Sequence, residues 1–406
     1  MQPTSTESGV SETPAPSGDF LLPTYADRPL TLIRGEGTAV WDQEGKRYLD
    51  FTGGIAVNLL GHAHPALRAA LQDQAGKLIH CSNLFYNEPA NAFARALVER
   101  IGPGGIFFCN SGAEANEALF KCARKFGSAT GRYEIITANN SFHGRTLAGI
   151  SATGQAKVKE GFGPLLPGFT HVPFNDMEAI RNALTPKTVA VHIEGIQGEG
   201  GIIPADPGYL LELRQWTREN EVLLLWDGVQ CGQFRTGHFQ SYTTLLENVP
   251  GSEGFLPDGM AMAKSLGAGF PLGAAWIHVD YADVLGPGSH GCTYGGNPLA
   301  CAVGLAVLRE VESGGWCEHA RQVGKQLLDG LGQLKENGHC EDVRGAGVMI
   351  GITVREDLPA VRQRLMEAGL LVVPSANQTI RLLPPINVQD REVEEALQIL
   401  EEHLSR

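Results

Sequence analysis

The sequence predicts an α/β protein: a large domain with a mostly parallel sheet between helices, plus a smaller α/β domain formed by the C-terminal and N-terminal segments. Three observations carry this. Short apolar runs bounded by Gly, Pro and polar turns recur from Arg132 to Val279, namely YEIITA, TVAVHIE, EVLLLWD, GMAMAK and PLGAAWIHV, and continuous apolar runs of that length are strands buried on both faces. Between two of them lies GYLLELRQWTRENE, whose Leu210, Leu213 and Trp216 keep helical spacing, so strand and helix alternate. After Thr293 the texture changes to long helical patterns. With 406 residues, 43% of them hydrophobic, 19% charged and 51 glycines, the chain has the length for two or three domains and the composition of a globular enzyme.

In chain order, residues 1–18 are rich in Ser, Thr, Pro and Glu and lack the basic and apolar stretches of an export signal; they are expected to be disordered. Residues 19–70 are read as an N-terminal segment packing with the small domain, 71–312 as the large domain and 313–406 as the small domain. His62-Ala63-His64 has a spacing used by metal sites, but no matching cluster accompanies it, so it is read as a turn before Pro65 and no metal is assigned. NPLACAVGLAVLREVES opens with Asn297 as cap and Pro298 at the first helical position. Beyond it VRGAGVMIGITV, LPAVRQRLMEAG, LLVVPSANQTIRLLPP and REVEEALQILEEHL alternate strand with helix.

Several functions drop out. The net charge of −13 disfavours nucleic acid and an anionic membrane surface, and no apolar run approaches the roughly 20 residues of a membrane helix. The eight scattered cysteines contain no CxxC, which indicates free thiols in a reducing, cytoplasmic compartment. There is no GxSxG elbow, Ala263 stands where a Walker lysine needs glycine, and no GxGxxG is complete.

Three positive features remain. IFFCNSGAEANEALFKCARKF reads as strand, polar turn and helix, so that Ser111, Gly112 and Ala113 offer backbone N–H groups and a hydroxyl to a phosphate; an ordinary capped helix also fits. Asp227 ends the run Val222–Trp226, where a buried acid needs a cationic partner or caps a turn. Lys264 lies among apolar residues and glycines, where its pKa falls and its amine becomes nucleophilic, unless it is a snorkelling structural lysine. A phosphate cup, an acid for a ring nitrogen and a lysine for a Schiff base are together what pyridoxal 5′-phosphate requires.

The ordered strings SGAEANEA, SFHGRTL, EGIQGEGG, WDGVQ, AKSLGAGFPLGA, HGCTYGGNPLA and IRLLPP resemble class III, fold type I pyridoxal-phosphate-dependent aminotransferases, most of all the acetylornithine aminotransferase branch. The resemblance runs from about Leu30 to Leu404. It implies that Lys264 anchors the cofactor, Asp227 pairs with the pyridine nitrogen, and Ser111, Gly112 and Ala113 hold the phosphate. It further implies that Phe142 and Val229 cover the two ring faces, that Gln230 meets the ring hydroxyl, and that Thr293 reaches the phosphate of the neighbouring subunit in a homodimer with shared sites. For substrates it implies that Arg145 binds the α-carboxylate of acetylornithine and later the distal carboxylate of 2-oxoglutarate. Arg381 takes the keto acid's α-carboxylate through its two-pronged guanidinium. Glu199 pairs with Arg381 and swings aside between half-reactions, and Cys292 makes one substrate contact.

Ornithine aminotransferases resemble the chain too, but carry a tyrosine in the stretch corresponding to Gly54 and Ile55, where FTGGIAVNLLGH has no aromatic after Phe51; this favours an N-acyl substrate. Three positions depart from the family pattern: Gly228, Gly195 and Cys292 replace an acid, a proline and a serine. The two glycines are expected to loosen turns beside the cofactor. The reading is transfer of the δ-amino group of N2-acetylornithine to 2-oxoglutarate in arginine biosynthesis. Its alternatives are a transaminase for N-succinyl-diaminopimelate, N-succinylornithine, carrier-linked aminoadipate semialdehyde, ornithine or γ-aminobutyrate, and a non-catalytic cofactor-binding relative.

Overall fold

The computed structural model describes residues 20–25 and 28–404; the expected disorder of residues 1–18 lies outside them. In chain order the strands are β1 (Leu32–Glu36), β2 (Ala39–Asp42), β3 (Arg47–Asp50), β4 (Gly104–Cys109), β5 (Glu134–Ala138), β6 (Phe169–Val172), β7 (Thr188–Glu194), β8 (Ile196–Gln197), β9 (Ile203–Pro204), β10 (Leu223–Asp227), β11 (Gly259–Met262) and β12 (Gly273–His278). The C-terminal part adds β13 (Asp342–Ala346), β14 (Met349–Thr353), β15 (Leu370–Leu371), β16 (Val373–Ser375) and β17 (Thr379–Leu382).

Seven strands form the central sheet in the order β4-β12-β11-β10-β7-β5-β6. All neighbours run parallel except β12, which is antiparallel to both β4 and β11. Every residue of β7, β10 and β11 is buried, which is why these segments read as continuous apolar runs without alternation. The helices Gly112–Gly127 and Pro207–Glu219 cover the sheet, as the sequence predicts. β6 is an element with no clear sequence signal: its four residues FTHV include one exposed threonine and a partly buried histidine.

A second sheet, β1-β2-β3-β15, joins the two ends of the chain, because β15 pairs parallel with β3. The segments 343–354 and 370–385, which read as single strands, instead fold back on themselves. Gly347, at φ 53°, turns the chain between β13 and β14 and lies so close to Thr236 that a Cβ would stand 2.7 Å from its Cα. Asn377 and Gln378, at φ 56° and 52°, turn it between β16 and β17. The result is a four-stranded antiparallel sheet, β13-β14-β17-β16. His62 and His64 serve local structure: His62 Nε2 meets Asp50 Oδ2 at 2.8 Å, and His64 Nδ1 accepts from Ala66 N–H at the start of the helix Pro65–Ala75.

Candidate active site

In parallel sheets, polar groups gather beyond the carboxyl ends of the strands, and that is where this chain collects its chemistry. Asp227 and Glu194 are the last residues of β10 and β7, paired across the sheet. Lys264 follows β11 by two residues, and Ser111 follows β4 by two. Together they face a cavity of about 450 Å³. Of the residues singled out in the sequence, Ser111, Gly112, Ala113, Phe142, Arg145, Glu199, Asp227, Val229, Gln230 and Lys264 all line it.

The helix Gly112–Gly127 points its N-terminus at the cavity, with Ser111 as cap, its Oγ accepting from Glu114 N–H at 3.2 Å. The Gly112 and Ala113 N–H groups have no acceptor within the helix, and both residues line the cavity at the positive end of the helix dipole. Glycine is required at 112 because a Cβ there would stand 2.6 Å from a Val229 methyl.

Asp227 is 3% exposed. Its Oδ2 accepts from Asn116 Nδ2 at 2.7 Å and meets His143 Nδ1 at 2.8 Å, while Oδ1 accepts from Val229 N–H at 3.0 Å. Burial pushes this carboxyl up, but His143, the nearby His192 and the Asn116 amide outweigh it and hold it below the usual range. Glu194 lies beside it and behaves oppositely: burial and the Asp227 charge push it well up, against the Phe142 and Gly198 N–H groups that donate to it. The two neighbouring carboxyls are thus pushed in opposite directions, Asp227 toward the ionised form and Glu194 toward the neutral one.

Lys264 adopts φ 48°, a left-handed backbone. Burial, assisted by the Arg381 charge, drives its amine down to about 8, against the opposing pull of Glu199, Asp227 and Glu194. The next residue, Ser265, donates through Oγ to Ala56 O at 2.9 Å. That bond ties the lysine's turn to a strained loop in which Gly53, Gly54, Ile55 and Ala56 all have positive φ.

Arg381 is 1% exposed and stands behind the cavity wall. Its Nη1 and Nη2 donate to Glu199 Oε1 and Oε2 at 2.5 and 3.1 Å, and Nη1 also reaches Gln230 Oε1 at 3.1 Å. Burial raises the Glu199 carboxyl, yet the Arg381 charge outweighs it and holds it below the usual value. Arg145 lines the cavity with its guanidinium 5.6 Å from the centre of the Phe142 ring.

Cys292 and Thr293 do not line this chain's cavity. Cys292 donates to Glu114 Oε1 at 3.3 Å and accepts from Asn110 Nδ2 at 3.2 Å, and burial together with Glu114 pushes its thiol up. Thr293 is exposed. The turns at Gly195 and Gly228 are not loose, contrary to expectation. A Cβ at 195 would stand 2.3 Å from the Trp226 ring, and Gly228 is tied by its N–H to Ala261 O at 3.0 Å and by its carbonyl to Gly232 N–H at 2.9 Å. Gly195 makes room for a fully buried tryptophan. His143 and Asn116 are the residues that sequence reasoning misses; the one signal for them is their presence within SFHGRTL and SGAEANEA.

The residues fit the expected cofactor on three counts. A helix N-terminus with a glycine cradle suits its phosphate, an ionised buried carboxylate suits a protonated ring nitrogen, and a lysine of lowered pKa suits its aldehyde.

Residues 23–404 match the family described as "Aminotransferase class-III". The chain is 47% identical over 391 residues to the acetylornithine aminotransferase of Caldanaerobacter subterraneus subsp. tengcongensis, covering 95% of this chain and 97% of that one. Among solved structures, it is similar to N-acetylornithine aminotransferase from Stenotrophomonas maltophilia (TM-score 0.80, 35% identity, 93% and 96% coverage). It is similar also to ornithine aminotransferase from Toxoplasma gondii (TM-score 0.89, 32% identity, 95% and 92% coverage).

Proposed function

The chain belongs to the class-III aminotransferases and is an enzyme that uses pyridoxal 5′-phosphate, and from that premise we propose that it moves the δ-amino group of N2-acetylornithine to 2-oxoglutarate. In this reading it serves arginine biosynthesis as a cytoplasmic homodimer. The observation that carries the substrate class is the presence of two arginines at the Lys264 cavity, Arg145 in its lining and Arg381 covered by Glu199, which lines it too.

When bound, the cofactor supplies an electron-poor ring that spreads the charge left as a proton leaves the substrate carbon. Ser111, Gly112 and Ala113 would hold its phosphate, with Thr293 of the partner subunit added in the homodimer, and Phe142 and Val229 would pack against its ring. Asp227 keeps the proton on the ring nitrogen; its own ionisation is secured by His143 and Asn116. Gln230, which already bridges Glu199 and Arg381, orients the ring hydroxyl. Lys264 would anchor the cofactor, and its Nζ, when free and neutral, would be the group that carries the proton at the reacting carbon.

Arg145 holds the donor's α-carboxylate. While this donor is present its far end carries no carboxylate, so Glu199 neutralises Arg381. When 2-oxoglutarate enters, Glu199 swings aside and Arg381 receives the keto acid's α-carboxylate, with Arg145 taking the distal one.

The test is the visible absorption of the purified protein before and after addition of N2-acetylornithine without keto acid. Acetylornithine is expected to bleach it within turnover time, while ornithine and γ-aminobutyrate act poorly; Arg145→Ala is expected to raise the KM for acetylornithine at least tenfold. Persistence of the yellow form with acetylornithine and bleaching by another of these amines reassigns the substrate.

A further inference from the structure

Glu199 is held from two directions by the same piece of structure. Its loop, residues 198–201, presents four consecutive carbonyls, and each accepts a hydrogen bond from the sheet that contains β16 and β17. Ser375 Oγ reaches Gly198 O at 3.2 Å and Glu199 O at 3.1 Å. Ala376 N–H donates to Glu199 O at 3.1 Å, Asn377 Nδ2 to Gly200 O at 3.0 Å and Arg344 Nη2 to Gly201 O at 2.5 Å. The carboxylate of Glu199 meanwhile meets Arg381, which lies on β17, the second strand of that hairpin.

Main chain and carboxylate of residue 199 are therefore referenced to one β-hairpin. With the backbone held, the Glu199–Arg381 pair forms at the cost of ordering a single side chain, and it opens by side-chain rotation alone. If the backbone were free, the same pair would also have to order a loop. Neither Ser375 nor Asn377 lines the cavity.

We infer that Ser375 and Asn377 are positioning residues that set the strength of the Glu199 latch over Arg381, and through it the enzyme's choice between ligands with and without a carboxylate at that end. This rests on the reading of Glu199 and Arg381 given above. The loosened latch competes less well, so a carboxylate gains Arg381 more easily while the donor that needs Arg381 neutralised loses ground.

The experiment measures calorimetric binding of glutarate, an unreactive dicarboxylate, to the holoenzyme and to Ser375→Ala, Asn377→Gly and the double variant, with Glu199→Gln as reference. Glycine at 377 tolerates the left-handed backbone, so the change removes the amide without adding strain. Glutarate is expected to bind about 3- to 10-fold more tightly to the double variant, and at least as much more tightly to Glu199→Gln. Single-turnover rates add a second readout: the ratio of acetylornithine to glutamate reactivity should fall by a similar factor, whereas a loss of general order lowers both alike. Unchanged or weaker glutarate binding in the single and double variants, with Glu199→Gln tightened, overturns the role of Ser375 and Asn377. If Glu199→Gln itself fails to tighten glutarate, the latch reading falls and this inference falls with it.

Discussion

Lys264 stands where several charges contend for one proton. Burial lowers its amine to about 8, and the strongest opposing influence is Glu199. A free amine attacks the cofactor's aldehyde only when neutral, so the rate at which the cofactor-free enzyme captures its cofactor should fall about tenfold per pH unit below 8 and level off above it. Glu199→Gln removes the largest upward pull and should move that limb to lower pH; a limb that stays put, or one near the ordinary lysine value, would sink the assignment. The same scale shows what a sequence conceals. Lys264, Asp227 and Ser111 each follow an apolar run closely, so their placement at strand ends is legible locally. His143 and Asn116, which hold Asp227, come from 84 and 111 residues away in the chain, and nothing in their own surroundings announces a buried carboxylate partner.

Among the elements, the helix Gly112–Gly127 and its turn carry the most function per residue. Gly112→Ala leaves helix propensity intact or improved, but its Cβ would press on Val229 at 2.6 Å. We expect cofactor affinity to drop about tenfold with little change in the melting temperature, as a titration of the cofactor-free enzyme will check. Equal affinity in the variant would show that Val229 does not bear on the ring. Strands buried on both faces were readable from continuous hydrophobicity, whereas β6 was not, because FTHV lacks it. The C-terminal hairpins escaped for a different reason: Gly347 and the Asn377-Gln378 pair are turn residues embedded in apolar text, and a left-handed backbone at one or two positions has no periodic signature.

For the whole molecule, the surface beside the site is unusually apolar. Leu84, Phe85 and Tyr86 are 84, 70 and 95% exposed, and Tyr294, 62% exposed, packs its ring against His80 at 5.4 Å. Thr293 adjoins this patch in sequence, and contiguous exposed apolar surface marks an interface. In the homodimer proposed above, Phe85→Glu is expected to yield monomers in sedimentation and to lose most activity together with bound cofactor; an active monomer would overturn the proposed role of the partner subunit's Thr293. The joining of the chain's two ends has a consequence for biosynthesis. Phe51 N–H donates to Leu371 O at 3.0 Å, and Phe51 O accepts from Leu383 N–H at 2.7 Å; these bonds lie on either side of the residue that leads into the strained loop over Lys264. On a ribosome adding about 5–20 residues per second, β3 waits roughly 15–60 s for β15 to emerge. The sheet β1-β2-β3 must therefore spend that interval with one edge of β3 unpaired, which makes this stretch of translation the period when a chaperone has most to protect.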